Sequence, residues 1–210
     1  MNRPKFAKAK LLLWWVVYFA LYMLTERLIP ENRCHLIHTS LDDRIPFCEW
    51  FAIFYVGWYG LIAFSLLWFL FRDSRLFCQL QTYIILVQLM ATAVYVIYPS
   101  YQNLRPTIFP RENCLTEVMK YIYEIDTPTG VFPSLHVAIS AGIASTWLRD
   151  QSVSRRLRGG VVVFCGMVVF SVCFVKQHSV LDILGAIPIC LIAEWLVFHR
   201  RQRLDPPASA

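Results

Sequence analysis

Six stretches of the chain, at approximately 10–29, 50–71, 78–98, 132–148, 159–176 and 180–198, are apolar over the length needed to cross a bilayer, which is about 20 residues of helix. Lipid leaves few folds open to such a chain, because every backbone N–H and C=O in the hydrocarbon must be satisfied internally. The expectation is an all-α polytopic membrane protein: six transmembrane helices in a bundle, forming a single domain over 1–210. The composition agrees, with 57% hydrophobic and 16% charged residues and a mean hydropathy of +0.49, where a soluble domain carries about 25% charged. The fourth stretch is short and contains Ser134, His136, Ser140 and Ser145, which predicts contact with protein rather than lipid. Small residues such as Ser140, Ala141, Gly142, Gly185 and Ala186 are expected at helix contacts. The first stretch is too long for a signal-peptide core and no A-x-A-like site follows it, so it reads as a retained helix.

The cations set the expected orientation. Arg3, Lys5, Lys8 and Lys10 precede the first stretch, and Arg72 and Arg75 separate the second from the third. Arg149, Arg155, Arg156 and Arg158 separate the fourth from the fifth, and Arg200, Arg201 and Arg203 follow the sixth. With six alternating spans these share one side. The other side holds Arg27, Arg33, Arg44, Arg105, Arg111, Lys120 and Lys176, interspersed with most of the acids. The positive-inside rule then puts both termini in the cytoplasm of a multi-pass cell-membrane protein. The net charge of +6 is accordingly a topology signal and not a nucleic-acid footprint.

The larger outer segments, about 30–49 and 99–131, are rich in proline and read as loops. Within the second, "CLTEVMKYIYEI" repeats its apolar residues at helical spacing and predicts a short amphipathic helix over 114–125. The seven cysteines show no zinc spacing. Cys165, Cys173 and Cys190 fall in apolar runs as small hydrophobes. Cys34, Cys48 and Cys114 lie in outer loops, where a disulfide is open. The tail "LDPPASA" is expected to be disordered.

Polar residues from three separate stretches converge on the outer side. Arg105 follows the third span, Ser134 and His136 open the fourth, Lys176 and His178 occupy the turn between the fifth and sixth, and Asp182 starts the sixth. Each alone has a plain reading, as an interfacial histidine, a snorkelling arginine or a flanking anchor. Asp182 is harder to treat that way. It lies four residues after His178, on the same helix face, and an acid inside a span needs a partner. A carboxylate bonded to one ring nitrogen fixes the tautomer and leaves the other nitrogen's lone pair free, making His178 a candidate nucleophile or base. His136 is then a candidate general acid. Arg105, Lys176, Ser134 and backbone N–H groups at the start of span four would line an anion site. Two histidines, one carboxylate and several cations suit phosphoryl transfer through a phosphohistidine. A metal is disfavoured, because the cations would repel it and only one nearby carboxylate is available. No cofactor is expected.

At these residues the chain resembles the type 2 phosphatidic acid phosphatase superfamily, whose blocks read K-x6-R-P, P-S-G-H and S-R-x5-H-x3-D. The first appears as "YPSYQNLRP", with Arg105 and Pro106 matching and Tyr98 in the lysine position. The second is "PSLH", with Pro133, Ser134 and His136 matching and Leu135 replacing glycine. The third is "SVCFVKQHSVLD", with Ser171, His178 and Asp182 matching and Val172 in the arginine position. The wording is most similar to a branch related to inositol-phosphotransferase-like members. The resemblance implies that His178 is the nucleophile, Asp182 its orienting partner and His136 the acid for the departing lipid oxygen. It further implies that Arg105 and Ser134 hold phosphate oxygens. Two cations of the pattern are missing, at Tyr98 and Val172; from their positions, Lys176 is expected to supply one charge and Arg111 another.

The implied activity is metal-independent hydrolysis of a lipid phosphate or diphosphate, as a phosphoric monoester hydrolase whose partners are the lipid substrate and the bilayer. Two alternatives stay open. A lipid phosphotransferase would use the same histidine with an alcohol acceptor held by the outer loop "NRCHLIHTSLDDRIPF", through His35, His38, Asp42 and Asp43. A noncatalytic headgroup binder or transporter would keep the pocket without turnover.

Overall fold

The computed structural model describes residues 8–199. The expectations for Arg3, Lys5, Arg200, Arg201, Arg203 and the tail 204–210 lie outside the described residues. Among the described residues the regular structure is helical apart from two two-residue strands. Helix α1 is Trp14–Leu28, led in by a 3-10 turn at Lys10–Leu13; β1 is His35–Leu36, and α2 is the short Ser40–Arg44. Helix α3 is Ala52–Arg72, α4 is Ser74–Ile97, β2 is Ser100–Tyr101 and α5 is Cys114–Ile125. Helix α6 is Leu135–Arg149, α7 is Arg155–Phe174, and α8 is Val180–Glu194, which runs on as a π-helical turn to His199.

Among the described residues, four helical segments are long and apolar enough to cross a membrane: Glu49–Arg72, Ser74–Ile97, Arg155–Phe174 and Val180–His199. Lys10–Thr25 is a shorter apolar helix, and α6 has 15 residues. The helix limits differ from the apolar limits for physical reasons. Helix α7 begins four residues before its apolar run, because Ser154 caps it by accepting from Leu157 N and its first turn is the charged Arg155–Arg158. Hydropathy marks what lipid can solvate; caps mark where the helix begins. Asp73 does the same for α4, its Oδ1 accepting from Arg75 N and Leu76 N (2.8 and 3.1 Å).

Helix α6 is the hub. It packs against α4, α7 and α8, and Leu135 through Ser140, Gly142, Ile143, Thr146 and Trp147 are all buried. That burial matches its serine-rich composition, and Ser145 finds its partner in protein. Trp147 Nε1 donates to Ser65 Oγ on α3 (3.0 Å), and Ser145 Oγ and Arg149 Nη2 both reach Glu194 on α8. Gly142 lies directly against the Tyr83 ring of α4, and Gly185 against Phe132, with no room for a Cβ at either place. Helix α1 docks on α4 through buried amides: Trp14 Nε1 donates to Gln88 Oε1 (2.7 Å) and Gln81 Nε2 to the Leu11 carbonyl (3.3 Å). Lipid tails supply no hydrophobic drive between helices, so packing of small residues and such hydrogen bonds carry the association.

At one end of the bundle, the α3–α4 and α6–α7 turns line a common hollow that gathers Arg72, Arg75 and Arg149. At the other end lie the two longer connections, 29–51 and 98–134. They are joined by the parallel β1–β2 pair and by Glu49, whose buried carboxylate accepts from Arg111 and Asn113. The amphipathic stretch forms α5 over Cys114–Ile125, with Asn113 as its cap.

Substituting Gly142→Ala drives a methyl into the buried Tyr83 ring and is expected to cost about 1–3 kcal/mol of stability. The unfolding midpoint of the purified protein in detergent measures this. An unchanged midpoint would contradict the close α4–α6 contact.

Candidate active site

The chain turns from α7 into α8 through a Schellman motif. Lys176 N donates to Cys173 O (3.1 Å) and Gln177 N to Val172 O (3.0 Å), with Lys176 at φ 54°. The left-handed position is usually glycine. Here a lysine occupies it, and its Nζ donates to the Asp42 carbonyl (2.6 Å). His178 N also donates to Val172 O (3.0 Å), so the imidazole leaves the turn from a fixed backbone.

Helix α8 then starts with a capping box. Ser179 is the N-cap, and the Asp182 carboxylate reaches back to Ser179 N (2.9 Å). The same oxygen, Oδ2, meets His178 Nδ1 at 3.0 Å. One buried carboxylate therefore starts the helix and orients the histidine. With Nδ1 held by Asp182, Nε2 is the nitrogen available to a ligand. The Asp182 carbonyl accepts from Ser134 N (3.1 Å), which docks the start of α6 onto the start of α8. That contact brings His136 to His178, with ring centroids 5.7 Å apart at 65°. His136 is packed between aromatic rings of α3, Tyr55 at 4.4 Å and Trp58 at 4.1 Å.

A second capping box, Thr39 with Asp42 on α2, braces the turn from outside. Asp42 Oδ2 accepts from Ser179 Oγ (2.6 Å) and Thr39 N (2.8 Å), and Oδ1 from Val180 N (2.8 Å). Burial pulls the Lys176 ammonium below the ordinary lysine range, and the neighbouring Asp42 charge opposes that shift.

The site residues expected from sequence thus divide. His178, Asp182, His136 and Ser134 come together. The buried Ser134 Oγ, His136 Nε2 and Asp182 Oδ1 have no hydrogen-bond partner among the described residues, which leaves polar atoms for a ligand. Arg105 stands one residue back. It donates to Gln177 Oε1 from Nε and Nη2 (3.1 and 2.8 Å) and to the carbonyls of Tyr123, Asp126 and Thr127 (3.0, 2.9 and 3.2 Å). In this arrangement it positions Gln177 beside His178. Lys176 faces Asp42 and does not line the cavity described below. Arg111 pairs with Glu49 at 3.3 Å. Tyr98, which stands where the blocks it resembles have lysine, stacks on His35 (4.4 Å). Val172, where those blocks have arginine, is fully buried.

The loop residues considered for an alcohol site have other work. Asp42 braces the turn, His35 stacks on Tyr98, and His38 and Asp43 form an exposed pair at 2.8 Å.

A cavity of about 490 Å³ runs from the two histidines along the gap between α1 and α3. Its far walls are apolar, including Leu12, Phe19, Ile62 and Leu66, while Asp126, Thr127, Gln177, His136 and His178 gather at its polar end. Sequence reasoning missed Asp126, Gln177 and the two capping boxes. Both boxes carry the S/T-x-x-D spacing, and Ser179–Asp182 also stands ahead of an apolar run. Asp126 and Gln177 had none, because their position depends on the packing of distant helices.

The chain matches no family model, no curated protein and no solved structure. No disulfide joins Cys34, Cys48 and Cys114 in the structure. Among the described residues no three His, Cys, Asp or Glu side chains converge as a metal-holding group.

Asp42→Ala is expected to lower stability by at least about 2 kcal/mol, since it strands buried donors that had met a charge. The adjacent exposed Asp43→Ala should cost about 0.5 kcal/mol or less. Paired unfolding curves test this; equal losses would contradict the bracing role of Asp42.

Proposed function

We propose that the chain is a membrane phosphatase that hydrolyses a lipid phosphate or diphosphate through a phosphohistidine on His178, without a metal. One observation carries the reading: the buried His178–Asp182 pair stands beside His136 at the polar end of a long apolar cavity. A phosphate at the histidines with its chain in the cavity satisfies both ends. The resemblance of "YPSYQNLRP", "PSLH" and "SVCFVKQHSVLD" to the type 2 phosphatidic acid phosphatases supports it.

In this reading, His178 Nε2 attacks phosphorus as the bond to the lipid oxygen breaks. Asp182 stabilises the imidazolium character that develops on His178. His136 gives its proton to the departing oxygen, then takes one from the water that cleaves the phosphohistidine. Ser134 Oγ donates to a phosphate oxygen, and Gln177, held by Arg105, borders the headgroup. Helices α1 and α6 join the four long apolar segments to make six spans. The histidines then lie at the extracytoplasmic face, both termini are cytoplasmic, and Arg72, Arg75 and Arg149 occupy the inner face, as positive-inside charges do.

Purified protein in excess chelator is expected to release phosphate from at least one member of a panel of lipid phosphates and diphosphates. His178→Gln should reduce turnover by at least about three orders of magnitude, and His136→Gln by about two to four. Equal turnover by wild type and His178→Gln, or loss of turnover in chelator, would overturn the proposal.

A further inference from the structure

The hollow at the end of the bundle away from the histidines has a volume of about 670 Å³ and lies between the α3–α4 and α6–α7 turns. Arg72, Arg75 and Arg149 line it, and arginines at helix ends are explained by topology alone. The wall behind them is not. Gln79 stands on α4 one turn after Arg75, on the same helix face. It lines the hollow and is only 6% exposed. Among the described residues its side-chain amide makes no hydrogen bond. The other buried amides of α4 do find partners, Gln81 in the Leu11 carbonyl and Gln88 in Trp14. Asp150 lines the same hollow from the end of α6 and is 5% exposed. Its Oδ1 accepts from Ser152 N and Oγ (2.9 and 2.6 Å), while Oδ2 has no partner among the described residues. Two side chains buried on every side but one are satisfied by whatever fills that side.

The charges around the hollow select the ligand's chemistry. Arg149 is committed to Glu194 (2.6 Å), and Asp73 spends its carboxylate on the first N–H groups of α4. Among the described residues neither Arg72 nor Arg75 forms an ion pair; the Arg72 guanidinium lies over the Trp68 ring (4.7 Å). A guanidinium offers a planar fork of donors that matches phosphate oxygens, and the same arginines repel a cation. A carboxylate oxygen such as Asp150 Oδ2 only accepts, so it needs a neutral donor such as a hydroxyl, while the Gln79 amide serves either role. Inorganic phosphate meets the first requirement and leaves the second unmet. We infer that the hollow binds a polyol phosphodiester, with its phosphate on Arg72 and Arg75 and its hydroxyls on Gln79 and Asp150. Such a group is the headgroup of an anionic phospholipid, phosphatidylglycerol or phosphatidylinositol, or the same diester free in solution. Basic pockets between membrane helices suit anionic headgroups, and Leu148, which lines the hollow and is half exposed, offers apolar surface beside it. The bound group ties the α3–α4 hairpin to the α6–α7 hairpin. This site is separate from His178 and does not rest on the phosphohistidine reading.

The test titrates the full chain in detergent with single lipids and counts bound lipid by native mass spectrometry. Phosphatidylglycerol is compared with phosphatidylcholine and with phosphatidylmethanol, which has the same charge and no headgroup hydroxyl. Phosphatidylglycerol is expected to bind at least about fivefold tighter than phosphatidylcholine and at least about threefold tighter than phosphatidylmethanol. Arg75→Gln should weaken phosphatidylglycerol about fivefold, Gln79→Met about threefold or more, and His178→Gln should leave it unchanged. Arg75 is exposed, so its variant decides the matter even where Gln79→Met unfolds. Glycerophosphoglycerol separates the two sources. Displacement of the lipid at comparable concentration makes the soluble diester a ligand of the hollow, and no displacement makes the lipid its ligand; both outcomes support the site. Phosphatidylglycerol bound no tighter than phosphatidylcholine, or no tighter than phosphatidylmethanol, overturns the inference. So does binding that Arg75→Gln or a folded Gln79→Met leaves unchanged, and so does binding that His178→Gln abolishes.

Discussion

The buried carboxylate of Asp182 is the contact on which the candidate site depends. It accepts from Ser179 N to start α8, and it accepts from His178 to fix the imidazole. Through its own carbonyl it receives Ser134 N, which sets where α6 begins and hence where His136 lies. A charge buried this deeply is costly unless it is paired and hydrogen-bonded. Here the helix terminus supplies part of the compensation, because the first turn of a helix offers unsatisfied N–H groups and the positive end of the dipole. The histidine supplies the rest. Removing either would leave the other half unsatisfied, so folding and the arrangement of the site are coupled at one residue.

Asp42 extends the same device outward. Its carboxylate reaches the first and second residues of the capping box that Asp182 closes, from a helix more than 130 residues earlier in the chain. Two capping boxes thus brace one turn, and the Schellman turn before it is held with a lysine where glycine is usual. Such a residue sits in a sparsely populated backbone region that its surroundings must over-determine. The Lys176 bond to the Asp42 carbonyl and the paired N–H contacts to Val172 do so. The rigidity serves positioning: an imidazole held between two fixed turns keeps one orientation, as the proposed attack on phosphorus would require.

Much of this was legible in the sequence, and the division is physical. The apolar stretches correspond to α1, α3, α4, α6, α7 and α8 because hydropathy reports what a helix surface touches. The amphipathic spacing around Leu115 and Met119 gave α5 for the same reason. The four-residue step from His178 to Asp182 predicted a pair on one helix; the pair forms at 3.0 Å, but His178 sits in the turn ahead of the N-cap Ser179 and only Asp182 is on α8. Arg105 was legible as a residue near the site, but its partners were not, because Gln177 and the carbonyls of 123–127 meet it only after α5 folds back. Asp126 looked like one acid among many in an outer loop. Its place in the cavity follows from α1 leaning on α4 through Gln81 and Gln88, a tertiary contact with no local signature.

The account's central claim is covalent chemistry at His178, and mass spectrometry of the trapped intermediate tests it most directly. Protein mixed with a turned-over lipid phosphate, quenched in alkali and digested, should carry a phosphoryl group on the peptide containing His178. That label should be stable in alkali and lost in acid, and it should accumulate further in His136→Gln, where both its formation and hydrolysis are slowed but water attack suffers more. Turnover with no label on that peptide, or a label on it that survives acid, would contradict the account.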